Sequence, residues 1–265
     1  MYRKFQLQNI DEHMFVNNIA YYRKSGQNVV KGKTERISGV LQSVIIGNAY
    51  ALDGQRIQEE WFPEVKCDIF ISHSHKNKDL AICIAGWLHE KFGLQAFIDS
   101  EIWDNAENLL KEIDDHFCKI PGKHLYNYKQ RNQSTSHVYL MLNMALAQMI
   151  DNTECLFFLN TPESVNLKDI RGESTLSPWI FSEIGLSNLL RSNIPDRFGE
   201  TRKFAKGGDV KRITESQDLS MTHRIETSDF VQLNNMSLHK WATTCSEQGT
   251  AALDNLYKTF PVASK

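Results

Sequence analysis

Asp68-Ile-Phe-Ile-Ser-His-Ser-His75 is an apolar run that stops abruptly at small polar residues. Further on, Gln95-Ala-Phe-Ile-Asp99 repeats the pattern, a short apolar segment ending in a carboxylate. Between the two, Ala81, Ile84, Ala85, Leu88 and Phe92 recur at helical spacing, and Gly93 supplies the stop. Short runs without polar alternation are strands buried on both faces, and a helix between two of them makes a βαβ unit of an open parallel sheet. Such sheets bind ligands outside the carboxyl ends of their strands. Ser72, His73, Ser74, Asp99 and Ser100 are therefore expected to face a common crevice.

A chain of 265 residues can bury a sizeable core as one enlarged domain or two. A formal net charge of −2 gives no reason to expect nucleic acid or an anionic membrane as partner. No apolar run approaches the roughly 20 residues that span a bilayer, and the opening Met1-Tyr-Arg-Lys-Phe-Gln-Leu-Gln has no signal-peptide core. The five cysteines (67, 83, 118, 155 and 245) are odd in number and include no CxxC pair. They suit buried thiols in a reducing cytoplasm better than a disulfide framework or a zinc site.

Residues 1–64 read as an N-terminal extension packing on a main domain of residues 65–265. Within it, Ile37 to Ala51 is apolar enough for a helix or a helix–strand pair, Asp53-Gly54 signals a turn, and a short helix from Ile57 stops at Pro63. After the second strand, residues 101–153 form a helical insertion. It carries a short helix around Ala106 to Phe117 and a longer one from an N-cap at Ser134 to about Met149, with Val138, Met141, Leu142, Ala145 and Met149 on its apolar face. Cys155 to Leu159 is a third buried strand, residues 191–220 a loop, Phe230 to Leu233 a last strand, and Ser237 to Phe260 an amphipathic helix that Gly249 can break.

The best-marked helix start is Ser177-Pro178, an N-cap followed by proline at the first helical position. In that helix Trp179 and Glu183 are four residues apart and share a face. The helix follows the third strand after a loop, so its first turns can lie at the carboxyl edge of the sheet beside Ser72 and Asp99. Glu183 sits in the second turn, where the helix dipole favours an ionised carboxylate. His73 and His75 lack a third ligand at telling spacing, so no metal is expected. Ser72 and Ser74 lack a Ser–His–Asp arrangement. Asp99 can equally cap the turn after its strand.

Taken together, Asp68-Ile-Phe-Ile-Ser-His-Ser, the helix with Asp79 and Leu88, Phe97-Ile-Asp99 and Ser177-Pro-Trp-Ile-Phe-Ser-Glu183 resemble a TIR (Toll/interleukin-1 receptor) domain, in the right order. The likeness covers roughly residues 65–190 and, more loosely, 225–260. The long segment 101–153 departs from it. The resemblance implies a flavodoxin-like α/β fold, an open parallel sheet flanked by helices. Many TIR domains cleave NAD⁺ at the nicotinamide–ribose bond, and their catalytic glutamate, in a Trp-x-x-x-Glu helix, matches Glu183.

By the same resemblance Ser72, His73, Ser74, Asp99, Ser100 and Trp103 line the nucleotide pocket, and Trp179 or Trp103 can stack on a flat ring. NAD⁺ is then substrate and no separate cofactor is expected. The implied protein is a cytoplasmic NAD⁺ glycohydrolase or ADP-ribosyl cyclase of bacterial antiphage defence, self-associating through TIR surfaces. A nucleotide product could reach a downstream effector. A non-catalytic TIR scaffold and a nucleotide-binding sensor are the rival expectations.

Overall fold

The computed structural model describes residues 1–10, 12–15, 18–34, 53–98, 100–165, 173–198 and 223–262, with residues 12–13, 31–34 and 100–105 described by backbone only. Five strands make one parallel sheet: β1 (Arg3–Gln8), β2 (Ile69–Ser72), β3 (Ala96–Ile98), β4 (Cys155–Asn160) and β7 (Val231–Leu233), in the order β3-β2-β4-β1-β7. A two-stranded antiparallel ribbon, β5 (Ser174–Thr175) with β6 (His223–Arg224), stands apart from it.

Every strand of the main sheet runs the same way, so each connection must cross over and helices cover both faces. On one face Phe5, Leu7, Ile69, Ile71, Phe157 and Leu159 meet α1 (Ile19–Thr34), α3 (Lys78–Phe92), α7 (Asn235–Thr244) and α8 (Thr250–Thr259). On the other, Phe70, Phe97, Leu156 and Phe158 meet α2 (Gly54–Trp61), α4 (Ser100–Ile113), α5 (Tyr128–Asn152) and α6 (Pro178–Leu189). The result is a three-layer α/β structure.

The N-terminal segment is not an appendage. Lys4 to Gln8 pair with Leu156 to Asn160 on one side, and Phe5 to Leu7 pair with Val231 to Leu233 on the other. β1 is therefore an interior strand, and the boundary expected at residue 64 runs through a single sheet. Counted from β2, the order begins 2-1-3, as in a flavodoxin-like sheet. The fourth position, which the chain would fill next in that order, is taken by the strand nearest the N-terminus. The sheet is compatible with a flavodoxin-like one whose fourth strand has moved to the front of the chain. The apolar segment 37–51 lies outside the described residues.

A second departure lies between β3 and β4. The expected insertion is a structural layer: Leu109 and Ile113 of α4 and Val138, Leu142 and Met149 of α5 are buried against the sheet, while Met141 is partly buried. Helix α5 starts at Tyr128 with Asn127 as its cap, accepting from the Gln130 amide at 3.2 Å. Ser134, expected as that cap, is instead buried inside the helix. Its hydroxyl donates to Asp114 at 2.5 Å, and Arg131 reaches the same carboxylate at 2.9 Å. A Ser in a polar stretch resembles a cap until its buried acceptor, twenty residues back, is known. The helix over 106–117 also starts earlier, at Ser100, and ends in a π turn at Asp114–Cys118.

Other boundaries follow the sequence closely. Helix α3 ends at Gly93, whose φ of 65° is left-handed and returns two amide bonds to the helix end. The single amphipathic stretch from Ser237 is two helices, α7 and α8, parted at Gly249. Trp241 stacks on Phe92 with ring centroids 3.9 Å apart, and its indole N–H donates to the Ala252 carbonyl.

Helices α1 and α3 touch backbone to backbone. A Cβ added to Gly86 would lie 1.9 Å from the Tyr22 carbonyl oxygen, and one added to Gly26 would lie 2.0 Å from that of Ile82. Neither neighbour is a flexible side chain, so the helices themselves must move apart. Gly86→Ala is expected to lower stability by about 1–3 kcal/mol or more, read as a drop in urea midpoint at constant slope. Gly185→Ala is the matched control: nothing lies within 4 Å of its added methyl. There the better helix propensity of alanine is expected to raise stability by up to about 1 kcal/mol.

Candidate active site

The strand order reverses between β2 and β4, and this switch point is where an open α/β sheet has its natural crevice. β2 delivers Ser72, His73 and Ser74 there. Ser72 is fully buried and, among the described residues, its Oγ meets no hydrogen-bond partner. It follows Phe70 by two positions and so shares that residue's sheet face, the face covered by α6. His73 is 3% exposed, its Nδ1 lying 3.4 Å from the Ile71 carbonyl oxygen. Ser74 is half-buried, and its carbonyl accepts the Asn77 amide at 2.7 Å.

The loop after β4 closes over the same point. Thr161 donates to Asn77 Oδ1 at 2.6 Å, tying the two loops across the switch, and the buried Ser164 hydroxyl is 3.1 Å from Thr161. At the rim, its own backbone amide and the Thr161 hydroxyl hold the Glu163 carboxyl below the usual carboxylate range.

Helix α6 begins as its sequence dictates: Ser177 Oγ accepts the Ile180 amide at 3.3 Å and Pro178 occupies the first turn. Its flanks then divide. Trp179 lies against Tyr139 of α5 with ring centroids 5.4 Å apart, and Ser182 donates to Asn143 of α5 at 2.5 Å. The neighbouring flank, Ile180, Glu183, Ile184 and Ser187, is buried, and Glu183 is 0% exposed. Isoleucines 180 and 184 belong to the apolar layer that includes Phe70, Leu156 and Phe158. Glu183 is thus carried on the sheet-facing side of α6 and Trp179 on the side facing α5. A carboxylate shut away from water is costly unless something in its surroundings compensates it.

Of the residues singled out by sequence, Ser72, His73 and Ser74 lie together at the end of β2, with Glu183 in the layer Ser72 faces. Trp179 packs between helices. Ser100 and Trp103 fall in the first turns of α4, directly after β3, and are described by backbone only. Asp99 lies outside the described residues.

Sequence reading missed a further polar cluster. Glu173 Oε1 accepts from Gln6 at 3.0 Å and from Asn160 at 3.1 Å, and Thr227 donates to Oε2. Gln6 is 2% exposed. The alternation in Arg3–Gln8, with Phe5 and Leu7 against Lys4, Gln6 and Gln8, is a legible strand signal. What stayed hidden was that the polar side meets Glu173, before β5, and Asn188, at the end of α6, rather than solvent.

A hollow of about 420 Å³ lies elsewhere, along Tyr128, Lys129, Asn132, Gln133, Ser136 and His137. These six described residues all sit on α5, and the hollow is open to solvent. Among the described residues no group of three or more His, Cys, Asp or Glu side chains could hold a metal ion, and no helix is long and apolar enough to cross a membrane. No protein-family model, curated protein or solved structure matches the chain.

Proposed function

We propose that this protein is a TIR-like NAD⁺ glycohydrolase or ADP-ribosyl cyclase with Glu183 as its catalytic carboxylate. The observation that carries the reading is the complete burial of Glu183 on the sheet-facing side of a helix that starts beyond the strand ends. A glutamate serving only solubility would lie on the outer flank with Leu189, which is 76% exposed.

The chemistry needs little more than one placed anion. Nicotinamide leaves a cationic precursor as a neutral molecule, so its departure requires no general acid. Positive charge grows on the ribose, as in the oxocarbenium-like transition state of glycoside hydrolysis. A carboxylate fixed in a water-poor site stabilises that charge far better than one in solvent. The Ser72 hydroxyl, buried at the switch point, is a donor available to a ligand hydroxyl or phosphate. Water as the second nucleophile yields ADP-ribose, and an adenine nitrogen yields a cyclic isomer. In this reading Ser74, Asp99, Ser100 and Trp103 border the nucleotide. Self-association through TIR surfaces and a nucleotide signal to an effector in antiphage defence belong to the same proposal.

The test is incubation of concentrated protein with NAD⁺ and chromatographic separation of the products. Nicotinamide release supports the enzyme, binding of NAD⁺ without turnover supports a sensor, and neither supports a scaffold.

A further inference from the structure

We propose that Glu173 is a positioning residue that fixes the helix bearing Glu183 over the strand ends; the inference rests on the enzymatic reading above. Its carboxylate gathers three separate parts of the fold. Gln6 comes from β1, Asn160 from the end of β4, and Thr227 from the turn leading into β7. Its own carbonyl accepts the Ile225 amide at 3.1 Å, where the β5–β6 ribbon begins. Two residues on, Thr175 Oγ1 accepts the Ser177 amide at 3.1 Å, and Ser177 in turn caps α6. From Glu173 to the first turn of α6 the chain is therefore held by directional bonds, and Glu183 lies ten residues beyond Glu173.

The far end of α6 is tied to the same strand. Lys4 Nζ donates to Asn188 Oδ1 at 2.6 Å and pairs with Asp229, while Asn188 donates to the Glu226 carbonyl at 2.9 Å. Lys4 and Gln6 are alternate residues on one face of β1. One strand thus anchors α6 at both ends, and Glu173 is the link at the end where the helix starts. Apolar packing alone would allow α6 to slide, because it has no direction. Hydrogen bonds of defined geometry do not.

This role separates Glu173 from a catalytic group. A glutamine at 173 can still accept from Gln6 and Asn160 through its carbonyl oxygen and can donate to the Thr227 hydroxyl. It keeps the link and loses the charge. Glu173→Ala loses both. With NAD⁺ as substrate, Glu173→Ala is expected to lower kcat by about 10–100-fold with KM within about threefold of wild type, since an ångström-scale misplacement costs on that order. Glu173→Gln is expected to recover most of that loss.

Hydrogen exchange gives a readout independent of turnover. Amides of residues 174–189 should exchange faster in Glu173→Ala than in wild type, those of β2 and β4 should not, and Glu173→Gln should restore protection. Thr227→Val, which removes a single donor, is the milder variant should Glu173→Ala fold poorly, and it should show the same local exchange pattern. An active wild type with an unaffected Glu173→Ala overturns the inference. So does a Glu173→Gln as impaired as Glu173→Ala, which would make the charge itself the requirement. A wild type that leaves NAD⁺ intact overturns the enzymatic reading instead, and the exchange pattern alone then decides whether Glu173 holds α6.

Discussion

Deleting residues 1–10 is expected to leave the rest of the chain unable to fold. Those residues contain β1, which has a paired neighbour on each side. Its loss would break the sheet into a three-strand piece and an orphaned β7, and expose unpaired backbone on two new edges. Such edges cost stability and invite aggregation. Phe5 and Leu7 are both 0% exposed, with Phe5 set edge-on to Phe157 and stacked with Tyr257.

The point mutation Phe5→Ala alone is expected to cost about 3–5 kcal/mol, a large share of the roughly 5–15 kcal/mol that holds a typical domain together. The measurement is urea unfolding followed by far-ultraviolet circular dichroism. Phe5→Ala should lower the midpoint steeply, and the truncated chain should show no cooperative transition. A truncated protein that unfolds cooperatively near the wild-type midpoint would make β1 the dispensable extension its position in the sequence suggests.

That contrast marks what a single sequence can convey here. The β2–α3–β3 unit was legible because its strands are short, wholly apolar and ended by polar residues, and because Gly93 stops the helix between them. The start of α6 was legible because Ser177 and Pro178 are local signals with local causes. The place of β1 was not. Strand pairing is non-local, and nothing in Arg3–Gln8 says that its partners are residues 155–160 and 231–233. The layer formed by α4 and α5 looked like an insertion for a related reason: the polar stretch 127–137 conceals the contact of Ser134 and Arg131 with Asp114.

The candidate site divides the same way. Glu183 was singled out by the resemblance of its Trp-x-x-x-Glu helix to a TIR domain, and its full burial could not be read. Glu173, Gln6, Asn160 and Thr227 carry no motif and meet only because the fold brings distant segments together. Their polarity is legible in the sequence; their partnership is not.

Glu183→Gln carries the second large effect. The substitution keeps the side-chain shape and removes the charge. In the proposed reaction the carboxylate interacts most strongly when ribose becomes cationic, so its loss should fall on kcat far more than on KM. A preorganised electrostatic group in a dry site is worth about 100- to 1,000-fold in rate, and nicotinamide release by Glu183→Gln should fall by at least that factor. Glu183→Asp should fall too, because shortening the side chain withdraws the carboxylate from its place even though the charge remains. Trp179→Phe gives a useful comparison. Trp179 packs on Tyr139 between two helices, so this change should cost stability before it costs turnover.

The most direct measurement is nicotinamide released from NAD⁺ by wild type and Glu183→Gln side by side. Both proteins should be verified as folded by circular dichroism and tested at concentrations high enough for self-association. Release by the wild type, with near-complete loss in the folded variant, is the expected result. Two outcomes would contradict the account: a folded, assembled wild type that leaves NAD⁺ intact, or a folded Glu183→Gln that matches the wild type.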